Sequence, residues 1–86
     1  MTELRIQKVR FENEHIVVIF SDAKELRIAV ACFPRLQSAS IEQRNGWQLI
    51  GRGNGVHWEG LDEDLSVENF LTAYSQSNQG RAHVLR

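Results

Sequence analysis

Residues 51–66 read GRGNGVHWEGLDEDLS, and they place closely spaced glycines, an alternating strand and a run of acids next to one another. The dipeptide Asn54-Gly55 is the strongest short signal of a two-residue β-hairpin. On either side of it, WQLI at 47–50 and VHW at 56–58 alternate as two paired strands with one buried face do. The stretch therefore predicts a β-hairpin that turns at residues 54–55, followed by a helix that starts after the acids.

A glycine-rich stretch can also form a phosphate-binding loop. That loop needs Lys and then Ser or Thr after its last glycine, with a helix supplying N–H groups. Here Gly55 is followed by Val-His-Trp, and GRGNG lacks the G-x-G-x-x-G spacing of a dinucleotide site. The hairpin is favoured, and Gly51 and Gly55 are interpreted as structural residues that permit positive φ angles and close strand approach.

Residues 3–31 predict a three-stranded antiparallel meander. In the first strand, Ile6 and Val9 are out of step by one residue, which predicts a bulge near Gln7-Lys8. HIVVIF at 15–20 is β-branched and apolar on both faces, as expected of a central strand, and ELRIAVA at 25–31 supplies the third strand.

Two short helical turns are predicted between the meander and the hairpin. Pro34 suits the first turn of a helix, where its missing N–H has no effect. Ser40 and Gln43 match a capping box, which starts the second turn, and Gly46 ends it.

The segment LSVENFLTAY at 65–74 predicts an amphipathic helix. Ser66 is a good N-cap, although Asn69 in place of Glu or Gln leaves the capping box incomplete. The residues expected to line its buried side are Leu65, Phe70, Leu71 and Tyr74, with Val67 supporting the start. The acids at 62–64 would precede this helix, and Glu68 would lie in its first turn, where the helix dipole favours negative charge.

These elements add up to one α+β domain over residues 1–74 with the order β-β-β-α-β-β-α: a three-stranded meander, short helical turns, a hairpin and a C-terminal helix in an antiparallel architecture. A polar tail at 75–86 is expected to be flexible. No internal repeat or low-complexity segment interrupts the chain.

Composition excludes several classes of protein. The net charge of −1 provides no field that would draw the chain to nucleic acid or to a membrane. The longest apolar run, at 16–20, is far shorter than the roughly 20 residues of a membrane helix, and residues 1–10 lack a signal peptide's apolar core. A single cysteine excludes an internal disulfide and favours a cytoplasmic location. Cys32 follows an apolar strand, so we expect a buried, unreactive thiol.

The acidic segment, defined here as residues 59–68, contains five acids and no base, which gives a local charge of −5 on a nearly neutral chain. It can serve as a start signal for the helix or as a recognition surface for a basic partner. The residues assigned to partner binding are His57, Glu59, Asp62, Glu63, Asp64 and Arg52. The residues assigned to the structural motif are Pro34, Trp47, Gly51, Gly55, Trp58 and Ser66.

The alternative role of His57 and the nearby acids is to bind a metal or a small ligand. No H-x-x-x-H or H-E-x-x-H spacing supports this, so no metal site, cofactor or catalytic residue is predicted. Arg35, Arg44 and Arg52 could cluster on one surface, but they are too few and too diluted by acids to predict nucleic-acid binding.

FPRLQSAS at 33–40 and GWQLIGRGNGVHWEGLDEDLSVENFL at 46–71 resemble the small bacterial proteins grouped as domain of unknown function 2442. The resemblance spans roughly residues 3–74. Gly60 stands where the family often has proline, and Asn54 where it often has an aromatic residue.

The resemblance implies a small α+β domain, sometimes fused to a helix-turn-helix, which is not expected within residues 1–86. It also implies a gene that often lies beside another small reading frame, in a pairing like that of a toxin and an antitoxin. Together with the acidic segment, this predicts a non-catalytic interaction module, antitoxin-like in role. Its expected partner is a small protein encoded nearby, and a homodimer is compatible with this. No membrane partner is expected, and no nucleic acid for this chain alone. A ligand- or metal-binding domain is the runner-up function.

Overall fold

The computed structural model describes residues 4–76. Its elements in chain order are β1 (Ile6–Glu12), β2 (His15–Phe20), β3 (Glu25–Ala29), α1 (Pro34–Gln37), α2 (Ile41–Arg44), β4 (Trp47–Ile50), β5 (Gly55–Trp58), β6 (Glu63–Ser66) and α3 (Val67–Ser75). Short 3-10 turns lie at Val30–Cys32 and Glu59–Leu61. The α+β class and the predicted order of elements are confirmed, and β6 is an additional strand. From residue 77 onward, the predicted tail lies outside the described residues.

The first sheet is the predicted meander, with strand order β1-β2-β3. The register of β1 on β2 shifts between Ile6 and Lys8, which is the predicted bulge. Asn13 and Glu14 turn the chain with φ angles of 44° and 65°. All residues of β2 after His15 are buried, as expected of a central strand.

Long charged side chains cover the outer face of this sheet. Arg10 and Arg27 flank the buried Val17 in the strand register. Both donate hydrogen bonds to Glu12, from Arg10 Nε at 2.6 Å and Arg27 Nη2 at 2.8 Å. Both hydrogen bonds lower the pKa of Glu12, and the bond from Arg10 has the larger effect. The aliphatic stems shield apolar surface while the charged groups pair above it.

The second sheet has strand order β4-β5-β6. Ile50 pairs with Gly55, so the hairpin loop is residues 51–54 and the prediction of a two-residue turn at 54–55 is wrong. The positive φ angles occur at Gly51 (58°) and Gly53 (101°). Gly55 lies in the strand, where an added Cβ would stand 2.8 Å from the carbonyl oxygen of Leu65. Glycine is required there by the neighbouring strand.

The two sheets are joined at Gly53. The N–H of Ile6 donates to the carbonyl oxygen of Gly53 at 2.8 Å. An added Cβ at Gly53 would lie only 2.4 Å from the Ile6 carbonyl oxygen, which no pair of such atoms tolerates. The hairpin loop therefore contacts β1 directly through its backbone.

The helices begin where the caps predict. Pro34 is in the first turn of α1, and Ser40 and Gln43 form both hydrogen bonds of a capping box before α2. Ser66 caps α3, and Asn69 completes that capping box because its side-chain oxygen accepts from the Ser66 N–H at 2.8 Å. The expectation of an incomplete box at Ser66 is wrong, since the amide reaches the same donor that Glu or Gln would reach.

Two residues expected on the buried side of the C-terminal helix lie elsewhere. Leu65 is buried, but it belongs to β6, because α3 begins only at Val67. Leu71 is 40% exposed. From a start at residue 67, the side facing the core carries Val67, Phe70, Ala73 and Tyr74. Cys32 is also exposed, contrary to expectation, because the chain leaves β3 through a 3-10 turn whose only buried residue is Val30.

The core draws on every strand except β4 and on α1 and α3. Its largest fully buried side chains are Trp58, Phe20 and Phe70. Trp47, directly opposite Trp58 in the register, packs against this core while staying partly exposed. Over residues 4–76, no helix is both long enough and apolar enough to cross a membrane.

Candidate interaction surface

The acidic segment folds into a turn and a strand before it reaches the helix. After Trp58 the chain forms a 3-10 turn, Asp62 reverses it with a left-handed φ of 52°, and β6 returns antiparallel to β5. The acids at 62–64 precede the helix as predicted, but Glu63 and Asp64 lie in strand β6 instead of at the helix start, and only Glu68 lies in the first turn of α3. Asp tolerates the left-handed conformation better than most residues, because its short polar side chain bonds locally.

Arg35 lies in α1, and its side chain binds the turn of the acidic segment. Its Nη1 donates to the carbonyl oxygens of Leu61 at 3.0 Å and Asp62 at 3.2 Å. Its Nε also lies 3.8 Å from the Glu63 carboxylate. One guanidinium thus holds the backbone on both sides of the reversal, and the carboxylates of the turn project from a fixed frame.

His57 and Asp64 form a cross-strand pair on the outer face of the second sheet. They are direct neighbours in the β5–β6 register, opposite in orientation to the buried Val56 and Trp58. His57 Nδ1 donates a hydrogen bond to Asp64 Oδ1. That bond raises the pKa of His57 above its ordinary value; partial burial of the ring opposes the rise, and the charges of Asp64, Glu59 and Asp62 add to it.

Three of the five acids in the acidic segment have carboxylates that form no ion pair within residues 4–76. Glu63 lies near Arg35, and Asp64 pairs with His57. Within residues 4–76, the carboxylates of Glu59, Asp62 and Glu68 form no ion pair, and all three residues are exposed. The surface therefore keeps most of its negative charge.

Arg52, which the sequence analysis assigns to partner binding with the acids, lies at the other end of β5 from Glu59. It is exposed in the hairpin loop, at the start of β5, whereas Glu59 follows the end of that strand. Three strand steps separate the two ends, or about 10 Å. The structural motif residues lie in the frame: Pro34 in α1, Trp47 and Trp58 on paired strands, Gly51 and Gly55 around the loop, and Ser66 at the helix cap.

The metal-binding alternative finds no geometric support in the described part of the chain. Among residues 4–76, no group of three or more His, Cys, Asp or Glu side chains is arranged to hold an ion. One ring nitrogen of His57 is already engaged by Asp64. The arrangement is suited to electrostatic contact with another molecule.

Sequence reasoning missed Arg35 as the residue that positions the acidic turn. It stands in the FPRL motif, but its contacts are 26 and 27 residues away along the chain, and no local pattern reveals them. Arg44, which the sequence presents only as one of three surface bases, also has a structural role. It donates from Nε to Leu36 O at 2.9 Å and from Nη2 to Gln37 O at 3.1 Å, so it joins the two short helices.

The His57–Asp64 pair predicts a titration that NMR can follow. The His57 imidazole should titrate above its ordinary pKa of 6.5, and Asp64→Asn should lower the midpoint toward that value. Because the folded-state pKa is raised, the pair stabilises the fold fully below the ordinary pKa, and this contribution is lost as pH rises through the folded value.

The matched control for this titration is Glu68→Gln, which removes an exposed carboxylate of the same segment that does not act on His57. It should leave the midpoint unchanged. Equal midpoints in the Asp64→Asn variant and the unmodified protein would contradict the pairing.

The fold and surface together define a small α+β domain with an acidic turn held on a rigid sheet. The chain belongs to the family described as protein of unknown function, DUF2442, whose family model matches residues 6–75. This confirms the resemblance noted in the sequence. No curated protein matches the chain significantly.

Two solved structures share the fold. A protein of unknown function from Rhodospirillum rubrum, solved by crystallography, has a TM-score of 0.72 and 25% identity, covering 91% of this chain and 96% of that one. An uncharacterised protein from Chromobacterium violaceum, solved by NMR in solution, has a TM-score of 0.69 and 24% identity, covering 93% of this chain and 75% of that one. These similarities support the architecture, and function has to be argued from the surface.

Proposed function

We propose that the chain is a non-catalytic protein-interaction module that binds a small basic protein through its acidic segment. The observation that carries the proposal is a set of exposed carboxylates that form no ion pair within residues 4–76: Glu59 and Asp62 lie at the turn whose backbone Arg35 contacts, and Glu68 lies in the first turn of α3. A fixed array of one charge sign attracts a partner of the opposite sign and determines its orientation.

The proposed biological setting is an antitoxin-like role in the cytoplasm, with the partner encoded by a neighbouring gene. The gene context implied by the family resemblance and the small size of the domain support this setting. The charge of the acidic segment supports the expectation that the neighbouring gene encodes a basic protein.

The first experiment identifies the partner. The tagged chain is isolated from its host, and co-purifying proteins are identified by mass spectrometry. A small basic protein in stoichiometric amount is the expected result, and its complex is then reconstituted from purified components so that affinity can be measured.

The charge of the turn is tested with Glu59→Gln/Asp62→Asn. Asn suits position 62 because it tolerates the left-handed φ of 52° found there. We expect the double variant to bind the purified partner about tenfold more weakly at low salt, with a smaller loss at high salt, because exposed charges are screened. Isothermal titration calorimetry at two salt concentrations gives both values.

The matched control is Asp22→Asn/Glu25→Gln, which changes the net charge equally in the turn between β2 and β3 and at the first residue of β3. It should bind normally. If both double variants lose the same affinity, net charge alone explains binding; if neither loses any, the acidic segment is not the contact.

A further inference from the structure

A cavity of about 280 Å³ lies between the turn that joins β1 to β2 and helix α2. Phe11 and Ile41 contribute its apolar surface, and Glu14, Arg44 and Asn45 contribute polar atoms. Ligand pockets for small molecules span roughly 300–1,000 Å³. The cavity falls just below that range, so a single side chain of a protein partner suits it better than a metabolite does.

Ile41 is the most exposed large apolar side chain among residues 4–76, at 75%. Helix α2, to which it belongs, buries none of its residues, although its capping box is complete. The capping box is formed by Ser40 and Gln43, so capping does not require an apolar side chain at Ile41, the first residue of α2. A single exposed apolar residue is ordinary, but this one borders a concave surface that contains a second apolar side chain, Phe11.

The walls of this cavity are fixed by contacts beneath it. The guanidinium of Arg44 lies over the Phe11 ring at 5.6 Å, and Phe11 meets Trp58 edge to face at 6.5 Å. The indole N–H of Trp58 donates to the Arg44 carbonyl oxygen at 2.9 Å. A cavity with preformed walls needs little ordering on binding, which favours affinity.

The charge around the cavity is negative where it is accessible. Glu14 forms an ion pair with Arg44 at 3.6 Å, in which the Glu14 side chain is 77% exposed and the Arg44 side chain only 12% exposed, so the carboxylate is the accessible group of the pair. Glu42 is exposed next to Ile41. Trp58, whose ring contacts Phe11 of the cavity, directly precedes Glu59, the first residue of the acidic segment.

From these contacts we infer that the cavity receives an apolar side chain of the basic partner, flanked in the partner's sequence by Lys or Arg. The apolar side chain packs between Phe11 and Ile41, and the flanking base faces Glu14. This inference rests on the proposed function, because it assigns the occupant to the same partner; it adds an apolar anchor to a surface otherwise defined by charge alone.

The test uses a capped tripeptide, Lys-Leu-Lys, titrated into the isotope-labelled protein and followed by backbone amide NMR. We expect shifts that concentrate at residues 11–14 and 41–45. Replacing the central leucine with serine in the peptide should weaken binding about tenfold, or about 1.4 kcal/mol, and Glu-Leu-Glu should not bind at the cavity.

Two variants separate the cavity from its surroundings. Ile41→Ser should weaken Lys-Leu-Lys binding about tenfold, whereas Leu71→Ser, at an exposed apolar residue on α3, should leave it unchanged. Both positions are exposed, so both variants keep the fold. Shifts centred only on residues 59–64, equal binding of the serine peptide, or an Ile41→Ser variant with full affinity would each overturn the inference.

Failure of the cavity inference can be distinguished from failure of the proposed function. The Glu59→Gln/Asp62→Asn variant should still bind the tripeptide at the cavity, because neither residue lines it. If that variant also binds the basic partner normally, the acidic segment is excluded while the cavity result stands. If only the cavity shifts are missing, the inference fails and the charge-based proposal stands.

Discussion

Gly53→Ala is expected to remove a large part of the stability of this domain. The new Cβ would stand 2.4 Å from the Ile6 carbonyl oxygen and 2.9 Å from the Ile6 nitrogen. Both are backbone atoms, so no change of side-chain rotamer can relieve the clash. The φ of 101° adds strain, because it lies outside the conformations that alanine adopts readily.

Relief of the clash would require the hairpin loop to move away from β1. That movement breaks the hydrogen bond from Ile6 N–H to Gly53 O. A buried donor left without a partner costs about 1–3 kcal/mol, and the backbone strain adds roughly 1–2 kcal/mol. A domain of this size has only about 5–15 kcal/mol in total. We therefore expect the melting temperature to fall by at least about 8 °C, at roughly 4–8 °C per kcal/mol.

Two other glycines in the same stretch provide matched controls. A Cβ added at Gly60 would meet no atom within 4 Å, and its φ is not left-handed, so Gly60→Ala should be nearly neutral. Gly51 has a φ of 58°, but the nearest neighbour of an added Cβ is the movable Asn54 side chain at 3.1 Å, so Gly51→Ala should cost about 1–2 kcal/mol. Thermal unfolding followed by circular dichroism ranks the three variants. Equal stability of the Gly53→Ala and Gly60→Ala variants would contradict the packing of the two sheets.

The sequence predicted those features that local physical chemistry determines. HIVVIF is a central strand because β-branched residues on both faces favour burial on both faces, and the bulge near Lys8 follows from the shift in alternation. The capping box at Ser40 depends on residues only three positions apart. Such signals lie within one turn or one strand and can be detected without tertiary structure.

The features that were missed depend on residues far apart in the chain. EDLS at 63–66 carries acids and a helix cap, and it becomes a strand only because β5 offers it hydrogen-bond partners. Gly53 is required by the backbone of Ile6, and Arg35 contacts the turn at 61–62. The acidic segment was therefore found from the sequence as a set of charges, whereas its shape required the structure.

Trp58→Ala is the second substitution with a large expected effect. The Trp58 side chain is fully buried, at 0% exposure, and it contacts Phe11, which lines the cavity near Ile41. Truncation of a buried tryptophan to alanine costs about 3–5 kcal/mol, because packing is lost and a cavity remains. Urea unfolding followed by far-ultraviolet circular dichroism should show this loss, and a partly unfolded variant at room temperature is consistent with it.

Trp47→Ala is the matched control, because Trp47 lies directly opposite Trp58 in the register but is only partly buried. It should cost less than Trp58→Ala. A Trp47→Ala variant that is as unstable as Trp58→Ala would contradict the expectation that the more deeply buried Trp58 contributes more to core stability.

Trp58→Phe separates packing from the hydrogen bond. Phenylalanine keeps most of the apolar contact but removes the donor to the Arg44 carbonyl oxygen, for which we expect a loss of about 1–3 kcal/mol. The fold should survive, and Arg44 should lose one of the contacts that hold it over Phe11. Lys-Leu-Lys binding by this folded variant should then weaken, since the cavity wall is less well fixed. Unchanged binding would show that Trp58 supports the core alone and that the remaining bonds of Arg44 suffice to shape the cavity.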